Sequence, residues 1–419
     1  MQDNEKKPAL RFKGFTDPWE QRKLGEIAVF SKGVGYSKND LCEEGTPIIL
    51  YGRLYTKYET CIFDVDTFVK EKAGSVYSKG GEVIVPASGE TAEDISIASV
   101  VVKPGILLGG DLNIVSPTAE YDSAFLALTI SSGATHKYLS SLAQGKSVVH
   151  LHNSDIQSVS AKFPTKREQE KIHLIFGKID TLITLHQRKY EKLVNIKKSM
   201  LDKMFPQNGA SVPEIRFKGF TDPWEQRKLA ELTKTITTGK SVNSDEGEVS
   251  DGDIGVLKTS CVSYDRFNSS ESKPVVKSEQ QLVKCAVEKD SVIVSRMNTP
   301  ERVGACGYVS TDFPNLFLPD RLWKLKFQDT VDTYFVYMML VSSAYKEKIT
   351  SMASGTSGSM YNIPKETFLN LQLVIPAKID EQKQLGKILK KIDTLITLHQ
   401  RKLEKLQNIK KSCLEKMFV

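Results

Sequence analysis

The stretch RFKGFTDPWEQRKL at 11–24 returns letter for letter at 216–229. A second repeat, KIDTLITLHQRKYEKLVNIKKSMLDKMF at 178–205, returns at 391–418 with 24 of 28 positions identical. Chance does not supply two such matches, so the chain is two copies of one unit. Each copy runs short repeat, variable block, long repeat. A looser echo precedes each long repeat, FPTKREQEKI at 163–172 and IPAKIDEQKQL at 375–385. Both read as a strand end, a proline and an acidic first helical turn.

The long repeats read as helices. Ile179, Ile183, His186, Tyr190, Leu193, Ile196, Met200 and Met204 recur at spacings of three and four, with charged residues between them. The copy carries Ile392, Ile396, His399, Leu403, Leu406, Ile409, Cys413 and Met417. No Gly or Pro interrupts 178–205, and Pro206, Asn208 and Gly209 stop it. One such stripe alone would stay wet, whereas two matched stripes can cover each other. The expected helix-pair interface is therefore Ile179, Ile183, His186, Leu193, Ile196 and Met200 against Ile392, Ile396, His399, Leu406, Ile409 and Cys413. At about 1.5 Å per residue, each repeat makes a rod of roughly 42 Å.

The variable blocks, about 25–165 and 230–377, are nearly equal in length and barely alike in sequence. Both look mixed α/β. GEVIVPAS (81–88) and DSVIVSRM (290–297) are strand-like at corresponding places. DSAFLALTISS (122–132) and DTYFVYMMLVSS (332–343) are helix candidates, and each block closes on a Gly/Ser-rich loop, 143–149 and 353–363. One fold with two diverged surfaces is a pattern of specificity.

Charge and cysteine usage narrow the function. The net charge is +7, but each long repeat carries seven Lys/Arg and three Asp/Glu, +4 apiece, which leaves the rest of the chain at −1. Nucleic-acid contact outside the helices must therefore come from local patches. Within the helices, Arg188, Lys189, Lys192, Lys197 and Lys198, with Arg401, Lys402, Lys405, Lys410 and Lys411, form a basic face suited to phosphates, to acidic partner surfaces or simply to solvent. Six scattered cysteines without Cys-x-x-Cys spacing, a charged N-terminus and the lack of any long apolar run suggest a cytoplasmic protein that avoids the membrane. Catalytic motifs are missing as well. There is no phosphate loop, no Asn/Asp-Pro-Pro-aromatic turn of an adenine methyltransferase, and no nuclease carboxylate set at workable spacing. TDPWE reads as a turn whose Trp19 or Trp224 anchors the repeated segment, and His150 and His152 read as surface histidines rather than metal ligands.

What remains is recognition material. Loops at 31–39, 51–59 and 88–94 in the first block, and 237–244, 258–268 and 295–304 in the second, mix cations, amides and aromatics. Arg and Lys grip phosphates or guanine edges, Asn reads adenine, and Tyr stacks or wedges. The candidate DNA contacts are Lys32, Tyr36, Lys38, Arg53, Tyr55, Lys57, Ser88, Thr91 and Lys146 in the first block. In the second they are Lys240, Lys258, Tyr264, Arg266, Arg296, Asn298, Arg302, Ser357 and Tyr361. Ordinary solvated turns share this composition, and it weighs about evenly for each loop.

Two variable blocks, each introduced by DPWEQRKL and each closed by Glu-Gln, Ile-Asp-x₃-Ile and a basic helix ending Lys-Met-Phe, resemble the specificity subunit of type I restriction–modification enzymes along essentially the whole chain. The resemblance implies an α+β chain in which two mixed α/β target recognition domains are separated by two long antiparallel, coiled-coil-like helices in a pseudo-two-fold repeat. The segments would be a linker repeat (1–24), a first recognition domain (25–165), a central helix (166–205), a second linker repeat (206–229), a second recognition domain (230–377) and a C-terminal helix (378–419). Each domain would read one half of an asymmetric bipartite target in double-stranded DNA. The helices would set the spacing and dock two methyltransferase subunits and two ATP-dependent restriction subunits. S-adenosylmethionine, ATP and Mg²⁺ would belong to those partners, with no cofactor and no metal on this chain. A rod of roughly 42 Å slightly exceeds the ~34–36 Å of one duplex turn. The alternative is a free-standing DNA methyltransferase or nuclease.

Overall fold

The computed structural model describes residues 7–145, 147–206, 210–250, 252–263, 266–355 and 360–418. The chain divides into two compact units, one of residues 1–188 with 400–419 and one of residues 189–399. The boundary falls inside both long helices, so each unit owns half of each.

In the first unit, apolar runs such as Val83–Val85 pair into a five-stranded sheet in the order Ala28–Lys32, Leu112–Pro117, Glu82–Pro86, Ser99–Val101, Cys61–Ile62. The pairing is antiparallel except at the last edge, where Cys61 lies beside Val100 in parallel. The helix Ser123–Ile130 is apolar all round and buried accordingly. Asp122 caps it, accepting from the Phe125 amide at 2.8 Å. The second unit repeats the plan with Thr233–Thr238, Leu322–Phe327, Ser291–Ser295 and Cys306–Val309 in antiparallel order. Its buried helix, Thr333–Val341, is capped by Asp332 at 2.8 Å from the Phe335 amide. The strands and helices expected at 81–88, 290–297, 122–132 and 332–343 are all present.

The short repeat is structural, and its identity in the two units has a physical cause. Glu20–Lys23 pairs with Ser160–Phe163, and Glu225–Lys228 pairs with Gln372–Ile375. Trp19 and Trp224 are buried in their respective cores. Arg11 forks onto both carboxylate oxygens of buried Glu168 at 2.7 Å. Arg216 does the same to Glu381 at 2.7 and 2.8 Å. The adjacent glutamines act as staples. Gln169 accepts from the Asp122 amide at 2.9 Å and donates to Pro164 O at 2.8 Å, while Gln382 accepts from the Asp332 amide at 3.0 Å and donates to Pro376 O at 2.9 Å. The repeated letters are thus the parts that fasten each domain to the start of its helix.

The helices run Lys166–Lys203 and Ile379–Met417, longer at their N-terminal ends than the repeat itself. In the first unit Phe418 stacks on Phe125 with centroids 5.4 Å apart, and the Leu10 amide donates to Lys416 O at 2.9 Å. In the second unit Phe205 stacks on Phe335 at 5.6 Å, and the Ile215 amide donates to Lys203 O at 2.9 Å. The end of the C-terminal helix therefore holds, ahead of the first short repeat, the place that the end of the central helix holds ahead of the second.

The helix seam needs one correction. Ile196 and Ile409 are 38% and 40% exposed. Their neighbours turn inward instead. The side chains of Lys197 and Lys410, 14% and 19% exposed, pair with Asp393 at 2.7 Å and Asp180 at 2.6 Å on the opposite helix. The inward spacing after Leu193 is four and then three rather than three and then four, and 3.6 residues per turn permits either. Lys197 and Lys410 thereby leave the proposed basic face. Within each unit these pairs join the late part of one helix to the early part of the other, so the helices run antiparallel. The remaining expected seam residues are half-buried. Two of them, Met200 and Cys413, pack against the domain cores, which also include Leu385 and Leu389, and Ile172 and Phe176, of the opposite helix. The stop at Asn208 and Gly209 lies outside the described residues.

Candidate nucleic-acid interface

In the first unit the loops converge at one end of the five-stranded sheet. Ser88–Gly89 leaves the central strand and pairs with Val149–His150. Asn153 donates to Ser31 O at 2.9 Å, which draws the 149–153 segment to the strand that ends in Lys32. Buried Asn113 donates to Leu151 O at 2.8 Å and fixes that turn from beneath. Gly33 is obligatory here, because a Cβ would sit 1.9 Å from Gly109 O. Thr91 accepts from the Asp94 amide at 3.1 Å and starts the helix Ala92–Ile95. Lys32 and Ser88 therefore share this end of the sheet with Asn153. Lys146 lies outside the described residues.

Other candidates in this block are committed to their own domain. Arg53 is largely buried, donating to Asp66 at 2.7 Å, Glu59 at 2.8 Å and Asp64 O at 3.2 Å. Lys57 meets the same Asp66 at 2.8 Å and, with Arg53, holds that carboxyl down to about 2. Arg53 is thereby committed within the domain, whereas the Lys57 side chain stays exposed. Tyr36 sits at φ +58 with its hydroxyl 2.6 Å from Ser75 Oγ and accepting from the Lys72 amide at 2.7 Å. It locks a loop. Lys38 opens the short helix Lys38–Asp40, and Tyr55 lies against Tyr51 with centroids 6.3 Å apart, its hydroxyl pushed up by burial.

The second unit gathers the matching loops. Met297–Asn298 pairs with Tyr361–Asn362. Arg296 donates to Asp320 O at 2.7 Å, and buried Asn298 donates to Ser295 Oγ at 3.0 Å while accepting from the Thr299 amide at 2.9 Å. Arg296 and Asn298 brace the turn instead of protruding. That turn presents Arg302, which meets Arg266 across an open recess of about 350 Å³. Ser260, Asn268 and Glu271 complete its rim, with Ser260 donating to Glu271 at 2.6 Å. Two guanidiniums, an amide and a carboxylate around one recess supply both donors and acceptors for base edges or phosphates. Sequence reasoning named Arg266 and Arg302 but missed Ser260, Asn268 and Glu271, because they come together only when 258–271 folds back on 295–304. Lys240 is exposed, Lys258 and Tyr361 are half-buried, and Tyr264 and Ser357 lie outside the described residues.

Among the described residues no group of three or more His, Cys, Asp or Glu could hold a metal ion, and no helix is long and apolar enough to cross a membrane. His150 and His152 stack with centroids 6.5 Å apart, and the His152 amide donates to Asp155 at 2.8 Å at the start of a helix.

Two like-built α/β units, each offering loops at one sheet end and each fastened to long shared helices, define a duplicated recognition subunit. The family model described as type I restriction modification DNA specificity domain matches twice, at 16–195 and 221–408. The chain belongs to the family of type I restriction–modification specificity subunits. It is 22% identical over 94% of its length to the type I restriction enzyme MjaVIII specificity subunit of Methanocaldococcus jannaschii, covering 91% of that protein. It is 24% identical to the putative MjaX specificity subunit of the same organism, over 74% of this chain and 71% of that one. In structure it is similar to the type I restriction–modification S subunit of M. genitalium, with a TM-score of 0.68 over 99% of both chains at 14% identity.

Proposed function

We propose that this chain is the non-catalytic, sequence-reading component of a type I restriction–modification complex. Each α/β unit reads one half of an asymmetric bipartite site in double-stranded DNA, and the long helices set the number of base pairs between the halves. The observation that carries this reading is the split between constant and variable parts. The fasteners Arg11–Glu168 and Arg216–Glu381 are the same in both units, whereas the sheet-end loops carry different cations, Lys32 and Lys38 in one against Lys240, Arg266 and Arg302 in the other. Two unlike half-sites follow from two unlike loop sets.

The helices also carry apolar surface that the described residues leave exposed. Leu174, Ile175, Leu182 and Leu185 are exposed on the central helix, and Ile388 and Leu398 on the C-terminal helix. At 100° per residue Leu174, Ile175, Leu182 and Leu185 fall within about 100° of one another, on a stripe that begins at one border of the seam. Exposed apolar stripes of this kind mark partner contacts. We assign them to two methyltransferase subunits, with two ATP-dependent restriction subunits joining the assembly. S-adenosylmethionine, ATP and Mg²⁺ are used by those partners, and this chain binds none of them.

The test is methylome sequencing of cells that express the chain with its methyltransferase, before and after residues 25–165 are exchanged for another recognition block. One half-site changes and the other stays. Change in both halves or in neither overturns the modular reading, and methyl transfer or nicking by the purified chain alone overturns the non-catalytic one.

A further inference from the structure

The internal repeat supplies its own control, and one feature fails to repeat. In the second unit a cleft of about 830 Å³ opens between the domain and the first turns of the C-terminal helix. Lys383, Lys387 and Lys390 line it from one helix face at spacings of four and three. The corresponding residues on the central helix are Glu170, Leu174 and Gly177. Where the first unit places His173, 2.8 Å from Asp122, the second has Gly386, whose Cβ would lie 2.6 Å from Asp332 Oδ1. No side chain crosses the cleft from that position.

The cleft carries positive charge that the domain does not neutralise. Lys234, Lys326, Lys383, Lys387 and Lys390 line it against Asp290, Asp329 and Asp332, so lysines outnumber carboxylates. Lys390 lies over the rings of Tyr308 and Tyr334 at 4.9 and 5.5 Å. Lys383 and Lys387 are exposed and have no ion-pair partner among the described residues. The floor is aromatic, with Lys383, Lys387 and Lys390 on the helix wall and Lys234 and Lys326 on the domain side.

We propose that this cleft receives an acidic segment of the methyltransferase subunit, an inference that rests on the docking role given to the helices above. DNA is the poorer fit. The strand pairings place Phe327 and Thr233 at the cleft, whereas Trp323, Thr238 and Arg296 lie at the other end of the same sheet, beside the loops assigned to base reading. Continuity with the apolar stripe favours the methyltransferase. Lys387 and Leu398 are eleven residues apart, about three turns, and so share one face of the helix. A subunit covering Leu398 reaches Lys387 and Lys383 without leaving that face. Because the first unit lacks the lysines, the two methyltransferase positions are unequal, and the one on the second unit is the tighter and more salt-sensitive.

The test titrates the full-length chain with its methyltransferase subunit and counts bound copies by native mass spectrometry at several salt concentrations. Wild type takes up two copies in separable steps. Lys383→Glu/Lys387→Glu weakens the tighter step by about tenfold or more and flattens its salt dependence. Lys383→Gln/Lys387→Gln falls between. Both steps unchanged in the charge-reversed variant overturn the inference, and so does loss of DNA affinity or of restriction-subunit binding with methyltransferase uptake intact. Failure of the wild-type chain to bind methyltransferase at all overturns instead the docking role on which the inference rests.

Discussion

Arg216 and Glu381 show how much one residue pair does here. Glu381 is buried, and its charge is balanced by the forked guanidinium and by the Trp224 indole N–H at 3.3 Å. Burying a carboxylate is costly, and removing its partner leaves that cost uncompensated. Arg216→Ala is therefore expected to lose about 3–5 kcal/mol, and Arg216→Lys less, since an ammonium keeps the charge but loses the fork. Urea unfolding followed by tryptophan fluorescence measures it, and a loss below about 1 kcal/mol would show the pair to be incidental. Arg11 makes the same contact in the first unit. The sequence displayed both partners, the arginine in the short repeat and the glutamate in the Glu-Gln echo, but not that they touch, because 157 and 165 residues separate them. Recognition residues were harder still to read. Arg53 and Arg302 both sit in polar, charged loops, and only folding shows that Asp66 and Glu59 hold the first while the second stands at an open recess.

At the level of elements, the long helices were legible because their repeat excludes Gly and Pro and keeps a three–four apolar rhythm. Their starts, Lys166 and Ile379, were marked by the proline and acidic first turn ahead of each repeat, although Gly177 and Gly386 interrupt the apolar rhythm between. The seam was legible only to within one residue. Leu403 is buried in it, whereas Ile409, six positions on, faces out. Leu403→Lys is expected to cost about 2–3 kcal/mol by drowning a buried leucine, and Ile409→Lys no more than about 0.5 kcal/mol. Thermal melts of the two variants decide this. Equal losses would restore the stripe with Ile409 inside, and a large loss from Ile409→Lys alone would reverse it. The paired Lys410 and Asp180 explain why the register tolerates an exposed isoleucine, since the inward position is already filled by a salt-bridged stem.

For the whole molecule, charge bears on affinity. The positive excess sits in the helices, and the structure draws part of it back into ion pairs through Lys197 and Lys410. Arg53 and Lys57 are likewise neutralised within the first domain. Among the described residues Lys32, Lys240, Arg266 and Arg302 remain at the sheet-end loops, and non-specific affinity for DNA scales with phosphates neutralised, each contributing about 0.9 to the slope of log K against log salt. Reading a sequence and gripping a duplex are therefore separable tasks in this chain. Alone, it is expected to bind its bipartite duplex no tighter than about 1 µM at physiological salt, in the range of non-specific protein–DNA contacts. Addition of the methyltransferase should tighten binding by about a thousandfold or more, toward the range of specific complexes. Fluorescence anisotropy on labelled duplex, with and without the partner, reads both numbers. Nanomolar binding by the isolated chain to one sequence would mean that the recess at Arg266 and Arg302 and its counterpart loops supply the grip themselves. The helices would then be needed only for spacing and docking.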